Sequence, residues 1–330
     1  MKKLFALALA LCLVFALFAC TANTDDDPNT TTAAAELVPF DLVAFRTAAE
    51  AAVTMEEVAD LINLLEDHPG VLPDEALLVY EAALDRVALA VMMEAWDLDW
   101  EWDWENNIFH GVAFADMDLP PQFLVMTGLE GGGPCNGHIF IDYEAIEQSL
   151  QGQLSESAVA WLRLMDYDTR NRIADDAALI ISWDELATRM LAWEAFERAH
   201  HPFVLALHEA EHRTTGWSQT LLGFYLLGID NTPVFDWGPN TLLTQVRESY
   251  ERFLADDANR SSEYFSIVEE AMAIWEANDW QFTYDFDRSP DTVQGQLIAL
   301  LQLESPLIPR SPQNQQEANA PQHAHPPGCC

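Results

Sequence analysis

Basic side chains are the scarcest chemistry in this chain. Only 15 Lys and Arg stand against 54 Asp and Glu in 330 residues, a formal net charge of −39. A surface this acidic repels phosphate backbones and anionic headgroups, which excludes nucleic acid as a partner. It attracts cations and basic partners instead. Cysteine is rare as well, with Cys12, Cys20, Cys135, Cys329 and Cys330 making up the whole set. That excludes a disulfide framework and leaves room for one bridge from Cys135 to the tail. Beyond residue 19 there is no long apolar run. The best later stretch, residues 217–229, is too short to span a bilayer. The glycines of residues 129–137, LEGGGPCNG, lack the following Lys-Ser/Thr and helix of a phosphate cradle, so they read as a strand-to-strand loop. Residues 166–171, DYDTRN, lack the central Gly and closing Glu of a calcium loop.

What is present begins with MKKLFALALALCLVFALFAC. Two lysines, an apolar stretch and small residues before a cut form an export signal. Its ending, Leu17-Phe18-Ala19-Cys20, resembles a bacterial lipobox. The resemblance implies cleavage after residue 19, a lipid on the Cys20 sulfur, and a membrane partner reached through that lipid alone. The terminal Gly-Cys-Cys resembles a double-prenylation ending, but that signal belongs to cytosolic eukaryotic proteins and conflicts with export. Residues 20–40 are small and polar and read as a flexible tether. Residues 305–330, rich in Pro, Gln and Asn, read as a disordered tail. Its His323, His325, Cys329 and Cys330 are incidental metal donors in that reading.

Between tether and tail the pattern is mostly helical. Asp41 can cap a first helix. Thr54 and Glu57 form a capping box before a second, which ends at His68-Pro69-Gly70. A third starts at Pro73. Residues 96–107, WDLDWEWDWENN, alternate Trp and acid and predict an extended segment with one aromatic face, more simply a loop pinned to the core than a sugar- or peptide-docking surface. Strands are expected at 108–114, 122–127 and 138–143. Helices follow, with Ser155 and Ser182 as caps, and a fresh helix opens at Pro202. Further helices are expected over 240–256, 261–278 and from Ser289-Pro290 to about 303.

The sharpest signal is residues 203–217, FVLALHEAEHRTTGW. His208 and His212, four apart, project from one face of a helix, so their imidazoles can share one metal ion. Glu209 points about 100° away and can reach a metal-bound water. Chance places far fewer than one such H-E-x-x-H in a chain with nine histidines. The segment resembles the active-site helix of zincin metallopeptidases, with Glu211 and Arg213 standing where that motif usually carries uncharged residues. The resemblance implies His208 and His212 as ligands of Zn²⁺, Glu209 as general base, and a peptide or protein substrate. The metzincin position for a third His is occupied by Ser218. The gluzincin variant uses a later Glu in a Glu-x-x-Ala setting. Glu270-Ala-Met-Ala273 fits, so Glu270 is the expected third ligand, with Glu269, Glu263, Asp230 and Asp236 as neighbours that could replace it. Tyr264 and Tyr284 are nearby candidates for oxyanion stabilisation.

Glu197-x-x-His200 and Glu209-x-x-His212 also match the pairs of di-metal carboxylate bundles, although only 12 residues and Pro202 separate them. The expected fold class is mainly α (α+β). A helical N-terminal region, 41–118, precedes a zincin-like domain with a small sheet, 119–304. The expected function is a lipid-anchored, cell-envelope zinc peptidase. The alternative is a non-catalytic, lipid-tethered binding or scaffold protein with a coincidental H-E-x-x-H.

Overall fold

In the computed structural model the described residues are 39–97, 101–103, 108–110, 117–126, 138–175, 178–211, 216–283 and 289–301. Capping chemistry sets the helix starts. The Asp41 carboxylate accepts from Ala44 N and opens α1 (Leu42–Ala51). Thr54 and Glu57 satisfy each other's backbone donors in a complete capping box at the head of α2 (Met55–Glu66). Helix α3 (Asp74–Asp97) follows Pro73. Its buried stripe includes Leu77, Tyr80, Glu81, Leu84, Val87 and Ala88, the i, i+3, i+4 spacing of an inward face.

The strands are short and pair only locally. β1 (Glu101–Asp103) and β2 (Ile108–His110) form one antiparallel pair. β3 (Phe123–Met126) and β4 (His138–Ile141) form another, in register from Phe123 opposite Ile141 to Met126 opposite His138. The expected strand 138–143 stops early because Asp142 caps α4 (Tyr143–Ser149). Ser155 caps α5 (Glu156–Arg170). Two-residue pairs follow: β5 (Ala174–Asp175) with β6 (Ala178–Leu179), and later β7 (Gly228–Ile229) with β8 (Thr232–Pro233) and β9 (Phe235–Asp236) with β10 (Thr241–Leu242). The fold is mainly α with small two-stranded sheets.

The second half is built around α6 (Trp183–Ala199), capped by Ser182. It buries Trp183, Leu186, Met190, Trp193 and Phe196, and also Arg189, Glu194 and Glu197. A helix buried on so many sides must find partners for its charged groups inside the core. Helix α7 (His201–Glu211) lies between α6 and α3. Helix α8 (Trp217–Leu227) makes the most extensive packing, against α6. It ends at Gly228, whose φ of +80° favours glycine. A Cβ there would also stand 2.4 Å from the Thr232 carbonyl oxygen. Helices α9 (Thr244–Ala255), α10 (Tyr264–Ala277) and α11 (Val293–Leu301) close the remaining side, with a 3-10 turn (Asp257–Ser261) between α9 and α10. The early helices share their core with the later ones, because α3 packs on both β4 and α7 and residues from Pro39 onward form one unit.

Candidate metal centre and the polar core beside it

Helix α7 buries Phe203, Val204, Leu207 and His208. His208 is 8% exposed, so it lies on the inward face. Val204 and His208 are one turn apart on the same stripe. The backbone of Glu209 and Glu211 completes α7. His212 falls in 212–215, outside the described residues.

The other expected ligands are distributed around the second half. Glu269 and Glu270 are exposed on α10, whose inward stripe is Tyr264, Val268, Ala271 and Trp275. Helix α10 packs chiefly on α8, α9 and α11, whereas α7 packs chiefly on α3 and α6. None of these principal contacts brings Glu270 to His208. Glu263 is half-buried at the head of α10, and its backbone N–H donates to Glu194 Oε1 at 2.7 Å. Asp230 is exposed in the β7–β8 turn. Asp236 is exposed too and accepts from Gly238 N at 2.9 Å. No group of three or more His, Cys, Asp or Glu that could hold a metal converges among the described residues. Cys20, Cys135, Tyr284 and the tail donors lie outside them.

Two buried carboxylates of α6 have an assigned task. Glu197 is 4% exposed and faces the head of α8. Its Oε1 accepts from Ser218 N at 3.1 Å, its Oε2 accepts from Ser218 Oγ, and Trp217 N donates to it as well. Helix α8 has Gly216 at its N-cap and no capping side chain of its own. Glu197 therefore caps α8 from a neighbouring helix and sets a negative charge against its positive end. The bare backbone of Gly216 leaves room for this approach, since a Cβ there would stand 2.7 Å from Glu197 Oε1. Glu194, one turn earlier, accepts the Glu263 N–H at the head of α10 and pairs with Arg198. The Tyr264 hydroxyl lies 2.5 Å from Ser218 Oγ and links the two capped ends. Tyr264 is thus committed to this interior network. Burial lifts the Glu197 carboxyl above the usual range, opposed by the Ser218 and Trp217 hydrogen bonds and assisted by the nearby Glu194 charge.

A second network braces α5 on α6. Arg189, 4% exposed, pairs with Asp168 at 3.2 Å and Glu185 at 2.9 Å. Trp193 Nε1 donates to Asp168 Oδ2 at 2.7 Å. Residues 166–171 therefore serve packing. On α3, buried Glu81 accepts from the Tyr143 hydroxyl at 2.9 Å. Sequence reasoning passed over Glu81, Arg189 and Glu194. The available signal was their position inside apolar stripes, where a charge must have a partner.

The di-metal pairing does not assemble from its first half. Glu197 is bonded to the head of α8, while His200 Nδ1 lies 2.9 Å from Ser157 Oγ. No protein-family model matches the chain, and no curated protein or solved structure matches it.

Proposed function

We propose that the chain is an exported, lipid-anchored, zinc-dependent peptidase, tethered through Cys20 to a bacterial cell envelope. The observation that carries this reading is the H-E-x-x-H spacing of residues 208–212, with His208 on the inward face of α7. The zinc donors would be His208 and His212. The third donor, Glu270, is assigned on the Glu-x-x-Ala resemblance alone, and its exposure on α10 counts against it. Bound zinc would supply a Lewis acid and lower the pKa of its water to about 7. Glu209 would take the water proton and return it to the leaving amine. Substrate peptides would be neutral or basic, since an acidic surface repels acidic ones.

A second reading, a tethered binding protein without catalysis, is favoured by an open groove along α1, α3 and α7. Peptide hydrolysis separates the two. With a mixed peptide library the peptidase reading expects cleavage that a chelator abolishes and added zinc restores. Unchanged cleavage after complete metal removal would reject the metal mechanism, and no cleavage by the zinc-loaded protein would favour the binding reading.

A further inference from the structure

The groove along α1, α3 and α7 carries its own chemistry. It measures about 550 Å³, within the range of small-molecule sites. It exists because small side chains meet where three helices approach. Ala49 of α1, Ala82 and Ala83 of α3 and Ala206 of α7 line it, with Leu78 and Val79 completing the apolar floor. Larger residues at these positions would have closed it.

The rim is charged, and its charges are unevenly used. Arg46 of α1 pairs with Glu75 of α3. Arg86 spends one nitrogen, Nη2, on the Ala49 and Ala52 carbonyls at 2.8 and 2.9 Å, which satisfies the end of α1. Its Nε and Nη1 bond to no described residue. Glu50 has no hydrogen-bond or ion-pair partner among the described residues. An open guanidinium edge and an open carboxylate thus border one apolar floor without pairing to each other.

We propose that this groove binds a short zwitterionic peptide with aliphatic side chains. The aliphatic groups would cover the alanine floor. The peptide carboxylate would take the open edge of Arg86, a planar donor suited to it. The peptide ammonium would take Glu50. The two ends of an extended dipeptide lie roughly 7 Å apart, so one small molecule carries both charges that the rim groups would take. None of the residues lining the groove is a proposed zinc donor.

The test is calorimetric titration of the full chain with Leu-Leu dipeptide. One-to-one binding is expected, with a Kd on the order of 0.1–1 mM for so small a ligand. Ala82→Leu fills an exposed groove position with another good helix former, and should weaken binding at least about tenfold with the thermal melt unchanged. Glu50→Gln should weaken it about threefold, the effect of one exposed ion pair. Lack of saturation at about 10 mM dipeptide, a Kd untouched by Ala82→Leu, or equal binding of N-acetyl-Leu-Leu-amide or decanoate would overturn the proposal.

Discussion

Glu197→Ala is expected to destabilise the fold by about 3 kcal/mol. The change deletes the acceptor for Trp217 N, Ser218 N and Ser218 Oγ together, inside a core where water does not replace it. Each buried donor left without a partner costs about 1–3 kcal/mol. Part of that loss is offset, because the variant no longer desolvates a carboxylate. Glu197→Gln keeps the shape and one acceptor oxygen but presents an amide to two donors, so about 1 kcal/mol is expected. Urea unfolding measures both. A midpoint unchanged in Glu197→Ala would show that α8 does not depend on a cap from α6. The pH profile adds a sign. Burial raises the Glu197 pKa, so the folded chain holds this proton more tightly than the unfolded one. The associated stability is present below the ordinary glutamate range and is lost as pH rises through the raised value. Glu197→Gln should flatten that segment of the profile.

Glu209→Gln is expected to leave zinc content unchanged while lowering peptide turnover by about 10²–10⁴-fold. The amide keeps the size of the side chain and removes its basicity. His208, on the buried stripe of α7, would retain its place in the core. Zinc quantitation and steady-state hydrolysis on the same sample separate the outcomes. Full activity in the variant would show that Glu209 is not the base. Loss of zinc along with activity would show that Glu209 supports the site structurally.

The local elements are legible in the sequence because their causes are local. The caps at Asp41, Thr54, Ser155 and Ser182 act over three residues, and all four head helices as expected. Residues 231–240, NTPVFDWGPN, carry the glycine and proline of a loop, and the paired strands in and beside them are only two residues long, too short for alternation to register. The candidate site is less legible. H-E-x-x-H is a one-turn pattern, readable on a helix without knowing the fold. A third ligand is a tertiary fact, and Glu270 rests on a four-residue setting although α10 packs away from α7. The Glu194 and Glu197 roles are hidden for the same reason. Their partners lie 69 and 21 residues away in sequence. The Glu197-x-x-His200 spacing resembles a metal pair, yet each side chain bonds elsewhere once the helices pack.

Metal content of the folded chain tests the peptidase reading most directly. The full chain would be loaded with zinc, freed of excess, and quantified beside His208→Ala, with unfolding curves on both to confirm that the variant folds. About one zinc per chain is expected in the parent, the stoichiometry of a single tetrahedral site, with its loss in the variant. No retained zinc in the parent, or equal zinc in a folded His208→Ala, would contradict a zinc site on α7 and leave that helix as a packing element between α3 and α6.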